Sequence, residues 1–327
     1  MDKDQSNRLS KDVFMISLSE MTGDEIVQTK VKKTNAEIRS LIIRITVMVV
    51  CLAVFLYSTS LLINRVADYS TSDELYDSLA SMWSSGNFDG SNDFGSLAYL
   101  SKDFTFAKTA DYIASQSLSD EISDMTLTQE DTDLMVWIKS MFSSLKRRNA
   151  DTMGWITIDY TKNINYPIVH CDDNEFYLTH SYDGTSNPAG SIFVDYRNSK
   201  NFDDNYNTVI YGHNLLAKTM FGELDKFFTK SFFYNNRRIY IYNENGLYIY
   251  ETFCVSKVNV STNYTKVDFN TPDEFVEFCY AMKKRSVHKT DTQFTGSDRI
   301  ITLSTCTNVY NPSERYCVMA KLVEIQK

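Results

Sequence analysis

The chain of 327 residues carries 42 acidic and 33 basic side chains, which gives it a net charge of −9. Hydrophobic residues make up 43% of the sequence, enough for the core of one main domain with appendages. Basic residues form only short groups, such as residues 283–285, and this distribution argues against nucleic acid as a partner. Four prolines and eleven glycines also exclude collagen-like and proline-rich disordered classes.

An apolar run without charged residues, 45–63, predicts a membrane-spanning helix. Its few polar residues sit towards its ends, whereas a helix from a soluble core has a polar face at helical spacing. The basic residues near the run lie mostly before it: Lys30, Lys32, Lys33, Arg39 and Arg44, against Arg65 after it. Because the positive flank stays in the cytoplasm, we predict an uncleaved membrane anchor over 41–64, with everything after residue 64 outside the cell.

The composition of the flanking regions divides the rest of the chain. Residues 1–40 are polar and charged, and they predict a cytoplasmic tail without regular structure. Residues 65–125 predict an extracytoplasmic stalk with an insert, helical to about residue 85 and then rich in Gly, Ser, Asp and Asn. The folded domain is predicted over 126–327. It begins with a helix that carries Leu134, Ile138, Met141 and Leu145 on one face and a cap from Thr128 and Asp131.

From residue 154 onward the pattern changes to short β-rich runs. They cover 154–158, 166–170, 190–195, 208–213, two runs within 238–258, 299–305 and 315–322. Asn245 and Gly246 separate the two runs within 238–258 and predict a hairpin there. Thr271 to Glu274 supply a cap, a first-turn proline and a capping-box acid, which predict a helix before the last two strands. The fold class is therefore mostly β: an eight-stranded barrel with helical inserts, preceded by a transmembrane helix.

One of the six cysteines, Cys51, lies within the apolar run, and five follow it: Cys171, Cys254, Cys279, Cys306 and Cys317. An odd number of thiols in an exported domain leaves at least one without a disulfide partner. Cys254 and Cys279 lie in an apolar strand and on an apolar helix face, so we expect them in the core. Cys317 is either a core thiol or a disulfide partner.

Three residues at strand ends could form a catalytic cleft. His213 ends the run TVIYGH, Cys306 follows the run IITLST, and Arg315 opens the final strand. A thiolate is a strong nucleophile, imidazole can protonate a leaving amine, and a guanidinium can hold a developing oxyanion. If the strands are neighbours, the three groups can make and break amide bonds, although this spacing also arises by chance in other proteins.

The remaining histidines have simpler interpretations. His170, Cys171 and His180 could suggest a metal site, but adjacent strand residues point to opposite faces and a fourth ligand is not evident. We therefore predict no metal and no cofactor. His288 lies in a basic, loop-like segment and is expected to be solvated. Nucleotide-binding and serine-hydrolase motifs do not occur in the sequence.

The order of motifs from about residue 154 to 322 resembles the sortase family, and within it class B. The motifs are GWITID, INYPIVH, DNEFYL, GSIFVDYRN, IYGHN, MFGEL, SVHKTD and DRIITLSTC, followed by Arg315. TLxTC with an upstream His and a downstream Arg is typical of sortases generally. The helix-bearing insert between Phe253 and Arg299 and the helix before GWI are typical of class B. The resemblance implies a sortase barrel in a class B catalytic domain over 126–327.

The same resemblance implies a cysteine transpeptidase. Cys306 would attack the Thr carbonyl of a C-terminal sorting signal similar to NPxT-x, with His213 as acid and base and Arg315 as oxyanion and substrate holder. The surface protein would then pass to an amine of a peptidoglycan precursor similar to lipid II. Substrate contacts carried over from the matching motifs are Asn174, Leu178, Tyr211, Ser304 and Tyr264.

Several alternatives stay open at this stage. A class B pilin polymerase would use a Lys amine as the acceptor, and a membrane-tethered assembly protein would keep the barrel without activity. A papain-like peptidase is disfavoured, because there the Cys precedes the His and an Asn completes the site. A separate hypothesis is that oxidation joins Cys317 to Cys306 and silences the enzyme, if the geometry allows a disulfide.

Overall fold

The computed structural model describes residues 23–85, 129–306 and 313–327. The chain divides into two compact units, 1–65 and 66–327. Helix α1, Gly23–Ser85, contributes to both. Within the described part of the chain, its stretch Glu37–Ser85 is the one helix long and apolar enough to cross a membrane.

The apolar part of α1 satisfies its own polar groups. Large hydrophobic side chains are exposed along it from Ile38 to Ile63. The hydroxyls of Thr46 and Thr59 donate to the carbonyls of Ile42 and Phe55 one turn earlier, which suits a segment surrounded by hydrocarbon. The predicted apolar helix is thus present, but its limits differ: residues 23–40, expected to lack regular structure, are helical as well. Residues 1–22 and 86–125 and the predicted cap at Thr128 lie outside the described residues.

The second unit is built on a closed barrel. Its strands are β1 Thr152–Ile158, β2 Asn165–Val169, β3 Ile192–Val194, β4 Asn207–Tyr211, β5 Arg238–Asn243, β6 Gly246–Asn259, β7 Ile300–Cys306 and β8 Glu314–Gln326. Around the barrel they follow the order β1-β2-β3-β4-β7-β8-β6-β5. The pairs β2–β3 and β4–β7 are parallel and the others antiparallel. The predicted eight-stranded barrel is confirmed.

The predicted hairpin is present, but its turn is displaced by one residue. Asn243 pairs with Gly246, so Glu244 and Asn245 form the two-residue loop. Gly246 opens β6 with φ +143°, and a Cβ there would lie 2.2 Å from the Gln326 carbonyl oxygen. The glycine is therefore needed both for this positive φ and for the close approach of the last strand.

The helices pack outside the barrel and give the sheet two apolar layers. They are α2 Gln129–Arg148, α3 Lys230–Asn235 and α4 Pro272–Arg285. Alternating residues of β7 and β8, such as Leu303 and Val318, point into the barrel core. Their neighbours, such as Cys317 and Met319, point outward and pack under α4 in a second core. The predicted N-cap of α4 is confirmed, because Thr271 Oγ1 accepts from the Glu274 N–H at 3.2 Å.

Residues 66–85 of α1 pack on the barrel through an aromatic cluster. The Trp83 ring stacks on Trp155 of β1 at 4.5 Å and 2°, and meets Trp137 of α2 and Tyr242 of β5 edge to face. Such ring pairs contribute roughly 0.5–1.5 kcal/mol each beyond area burial. Tyr76, Leu79 and Trp83 are all buried, so this part of the predicted stalk packs on the barrel.

Candidate active site

Strand pairing brings the three predicted chemical residues to one end of the barrel. In the parallel β4–β7 pair Tyr211 lies opposite Ser304, so His213, two residues after Tyr211, follows next to the end of β7. In the antiparallel β7–β8 pair Cys306 lies opposite Arg315. The main chain of Cys306 is thus placed as the last residue of β7, whereas its side chain lies outside what the structure describes.

A cavity of about 270 Å³ opens at this end of the barrel. It is lined by Asn174, Leu178, Phe193, Tyr211, Gly212, His213, Ser304, Thr305 and Arg315. Six of the sequence-predicted site residues therefore share one cavity. Tyr264 is not part of this lining, but it is buried beside it, and its hydroxyl lies 2.9 Å from Ser304 Oγ.

The backbone around His213 leaves its imidazole little freedom. Its Nε2 donates to the Leu178 carbonyl oxygen at 2.8 Å, and its own carbonyl accepts from the Phe221 N–H at 2.9 Å. Gly212 permits this packing, since a Cβ there would lie 2.4 Å from Ile192 Cδ1. His213 is half-buried, so the ring is held on one side and open to the cavity on the other.

A buried carboxylate, Asp195, lies directly behind the cavity wall. Arg197 donates two hydrogen bonds of 2.8 Å to this carboxylate, one from Nε and one from Nη2. The Tyr211 hydroxyl donates to Asp195 Oδ2 at 2.8 Å, and Asn174 Nδ2 donates to the same oxygen at 3.2 Å. Asp195 is fully buried, and it fixes two of the predicted substrate contacts at once.

The ionisation of Asp195 follows from these contacts. Burial by itself would raise the pKa of this carboxyl, because the charged form loses hydration. The hydrogen bonds from Arg197 and Tyr211, with the guanidinium charge, outweigh burial and hold the pKa of Asp195 below its usual range. Burial, and after it the same carboxylate, raise the pKa of the Tyr211 phenol. Asp195 is therefore a permanent anion at neutral pH.

The network continues into the segment that connects β6 to α4. Arg197 Nη2 donates to the Thr265 carbonyl oxygen at 3.0 Å, and the neighbouring Tyr264 bonds to Ser304. This segment thereby supports Ser304, which forms the second wall of the cavity, and ties it to the same anchor. Sequence reasoning missed Asp195 and Arg197, although the DYRN motif after β3 carries an acid and a base two residues apart, a spacing that could have indicated an ion pair.

The other thiols of the barrel unit are poor nucleophiles. Burial raises the pKa of Cys254 and of Cys279 to about 12 each, and that of Cys317 well above its ordinary value. Burial also raises the pKa of Cys171, which is partly exposed. Since the thiolate is the reactive form, none of these four is activated. The predicted core positions of Cys254 and Cys279 agree with their full burial.

The hypothesis of a disulfide between Cys306 and Cys317 is not supported by the strand register. Cys317 lies opposite Ser304, so it is diagonal to Cys306 across the β7–β8 pair. Diagonal neighbours are about 7–8 Å apart, beyond the usual Cα separation of a disulfide. Cys317 is a free, buried thiol of the second core. It is therefore a packing residue, the other of the two roles considered for it.

Each of the other histidines has a protein partner. His288, predicted to be solvated, is half-buried, packs against Phe233, and its Nε2 lies 3.0 Å from the Phe228 carbonyl oxygen. The basic residues around His288 predict a solvent-exposed segment, but the His288 ring itself packs against the domain. His170 is buried with Nε2 bonded to the Asn198 carbonyl oxygen at 3.0 Å.

Comparison with known proteins identifies similar chains. A family model described as a sortase domain matches residues 156–323. Sortase B of Staphylococcus aureus is 34% identical over 190 residues, covering 58% of this chain and 77% of that protein. Sortase B of Listeria monocytogenes is 37% identical over 189 residues, covering 57% and 75%.

Solved structures of the same kind match the barrel. A Staphylococcus aureus sortase B–substrate complex superposes with a TM-score of 0.53 at 34% identity, covering 57% of this chain and 86% of that one. Clostridium perfringens sortase B gives a TM-score of 0.52 at 33% identity, covering 56% of this chain and 100% of that one. The stretch matched by the family model, 156–323, includes every residue that lines the cavity.

Proposed function

The chain belongs to the sortase family, whose members are cysteine transpeptidases, and from this premise we propose that it joins surface proteins to the cell wall. The substrate is a protein with a C-terminal sorting signal similar to NPxT-x, cleaved after Thr. The observation that carries the proposal is the meeting of the β7 end, the β8 start and His213 at one cavity. Cys306 is the nucleophile, His213 the acid and base, and Arg315 the holder of the oxyanion.

In the first step Cys306 acts as the thiolate and His213 as the imidazolium, and the sulfur attacks the Thr carbonyl carbon of the sorting signal. The carbonyl π electrons move to oxygen, and the guanidinium of Arg315 faces that oxyanion. The oxyanion then collapses, the C–N bond breaks, and His213 gives its proton to the leaving amine. The products are a thioacyl enzyme and the released C-terminal peptide.

In the second step an amine of a peptidoglycan precursor attacks the thioester carbon. Neutral His213 takes a proton from this amine as the new C–N bond forms. Cys306 leaves as the thiolate, so the enzyme returns to its starting state. Because the acceptor enters where the first peptide left, the same imidazole serves both steps with opposite proton transfers.

The groove for the sorting signal is the cavity with its two walls. Asn174, Leu178 and Tyr211 are proposed contacts on one wall, and Ser304 with Tyr264 on the other. The polar contacts select the signal through hydrogen bonds, and Leu178, 38% exposed, offers an apolar surface. Two of these residues are held by Asp195, which favours a groove that is formed before the substrate arrives.

We further propose a single-pass membrane topology. The anchor is residues 41–64, the N-terminus is cytoplasmic, and residues 65–327 are extracytoplasmic. The excess of basic residues before the apolar run supports this orientation. It puts the thiol where both exported proteins and wall precursors are present. External protease on intact cells should remove the barrel unit and spare an N-terminal tag, and loss of the tag instead would contradict this topology.

The reaction is tested with the full-length protein in detergent micelles. It is incubated with a panel of sorting-signal peptides and with either a peptidoglycan-type amine or a peptide that offers a Lys amine. Wild type should cleave one signal class after Thr and transfer it to the first amine, and Cys306→Ala should do neither. Transfer to the Lys amine alone would show a pilin polymerase. No cleavage of any peptide, or cleavage that persists in Cys306→Ala, would contradict the transpeptidase assignment.

A further inference from the structure

Tyr76 is a buried tyrosine in residues 66–85 of α1, and its hydroxyl reaches the loop between β2 and β3. It donates to the Gly190 carbonyl oxygen at 2.9 Å and lies 3.0 Å from Ser191 Oγ. It also accepts from the Tyr182 N–H at 3.2 Å. These contacts join residues more than 100 positions apart in the chain. A residue of the helix that follows the apolar run therefore organises a barrel loop.

The first connection from Tyr76 to His213 runs through Gly190. This glycine has φ +63°, and a Cβ there would lie 2.8 Å from the Leu178 carbonyl oxygen and 3.1 Å from His213 Cδ2. The backbone at Gly190 thus lies close to both the imidazole and the carbonyl that accepts its Nε2 proton, with no room for a side chain between them. Fixing the Gly190 carbonyl fixes the surface against which the His213 ring rests.

The second connection runs through Tyr166 to the main chain of His213. The Tyr76 and Tyr166 rings meet edge to face at 5.3 Å, and the Tyr166 hydroxyl accepts from the Met220 N–H at 3.1 Å. Met220 has φ +54°, a conformation that non-glycine residues rarely adopt, so this hydrogen bond supports a strained turn. The next residue, Phe221, donates its N–H to the His213 carbonyl.

We propose that Tyr76 is a positioning residue for His213. Its hydroxyl holds the loop against which the imidazole rests, and its ring supports the turn that bonds the main-chain carbonyl of His213. Residues 66–85 of α1 are thus part of the active-site structure and do more than separate the barrel from the apolar run. The catalytic role of His213 rests on the proposed function, but the placement of its ring by Tyr76 does not.

Trp83 provides a matched control on the same helix. It packs on Trp155 and Tyr242, and the described contacts of its ring do not include the residues on either side of His213. Trp83→Phe should therefore weaken the packing of the helix without moving His213. Tyr76→Phe removes only the hydroxyl, and Tyr76→Leu removes both connections, so their effects should increase in that order.

The experiment uses full-length protein in detergent with ¹⁵N-labelled histidine. Peptide cleavage gives kcat and KM, NMR gives the ring signals of His213 and of His288, and thermal melting gives stability. Tyr76→Phe should lower kcat about tenfold with KM within about twofold, because a displaced catalytic group affects the chemical step. Its His213 signal should shift while the His288 signal stays. Trp83→Phe should lower the melting temperature with kcat and the His213 signal unchanged.

Two results would overturn the proposal. In the first, Tyr76→Phe has the wild-type kcat and the wild-type His213 signal. In the second, Trp83→Phe reproduces the loss of kcat, so that helix packing alone explains it. If the wild type cleaves no peptide, the proposed function fails, but the His213 signal still decides whether Tyr76 positions the ring.

Discussion

The two ends of the barrel each hold a histidine beside a cavity. At one end, where β4 and β7 finish, His213 borders about 270 Å³ of space together with Arg315. At the other, where β1 begins and β2 and β5 finish, His170 borders about 400 Å³ together with Asn243. The larger cavity is thus not the one on which the family motifs converge.

The two ends differ in how exposed the histidine rings are. His170 is 4% exposed and holds the loop after β3 through the Asn198 carbonyl, so its ring is a structural strut. His213 is held on one side only and faces the cavity with the other. Behind it, Asp195 and Tyr76 hold the surrounding groups in place. The end with His213 is thus distinguished by partly exposed polar groups that buried residues hold in place. Cavity volume alone would favour the end with His170.

The largest expected effect separates the two histidines directly. His213→Ala should lower kcat about 10³-fold, because proton transfer in both steps is lost. His170→Gln should keep kcat within about twofold and lower the free energy of unfolding by about 1 kcal/mol. Peptide cleavage rates and thermal melts of the two variants measure this. Equal losses of activity would remove the distinction between the two ends.

A second effect tests the support beneath the site. Asp195→Asn should lower kcat/KM about thirtyfold, because Asn174 and Tyr211 each lose a charged acceptor worth about 1 kcal/mol. The exposed Asp291→Asn is the matched control and should have wild-type kinetics. Kinetics with the best sorting-signal peptide measure the difference. A wild-type kcat/KM in Asp195→Asn would mean that the groove does not depend on this anchor.

The pH dependence of stability also tests the contribution of Asp195. The pKa of Asp195 is lower in the folded state than in the unfolded state. Its carboxylate therefore contributes its full stabilisation above the unfolded-state pKa of about 3.9. This stabilisation is lost as the pH falls through the lower, folded-state value. The melting temperature of wild type should therefore fall more steeply below about pH 4 than that of Asp195→Asn. Parallel curves for the two proteins would show that the ion pair with Arg197 adds no stability.

The smallest expected effect concerns the second wall. Tyr264→Phe removes one hydrogen bond to Ser304 and should raise KM about threefold with little change in kcat. Tyr280→Phe, which loses the hydroxyl bonds to Gln293 and Phe294 but lies on α4, should change neither. Steady-state kinetics of both variants measure this. A fall in kcat with unchanged KM in Tyr264→Phe would instead place Tyr264 beside the reacting atoms.

Much of this fold could be predicted from local patterns of the sequence. Alternating apolar residues and Asn-Gly mark the strands and the hairpin, and Thr271 marks the start of α4. The turn lies one residue earlier than the Asn-Gly pair predicts, because Gly246 opens β6, where both its positive φ and its approach to the distant Gln326 require glycine. Local propensity predicts that a turn exists, but not which partner fixes its exact position.

The residues of the candidate site could be proposed from the sequence, but their support could not. His213, Cys306 and Arg315 stand at strand ends within recognisable motifs, so their sequence positions suffice to select them. Tyr76 and Asp195 act through contacts with residues distant in the chain, and Tyr76 lies among the apolar positions of an ordinary helix face. Such contacts depend on how elements pack, which no short pattern records.

The most direct test of the account is the site of the covalent intermediate. Full-length wild type is mixed with the cleaved sorting-signal peptide without an amine, quenched in acid and analysed by peptide mass mapping. The account predicts a mass increase equal to the acyl fragment on the peptide that contains Cys306, and its absence in Cys306→Ala. An acyl group on another cysteine, or steady cleavage with no adduct at Cys306, would contradict it.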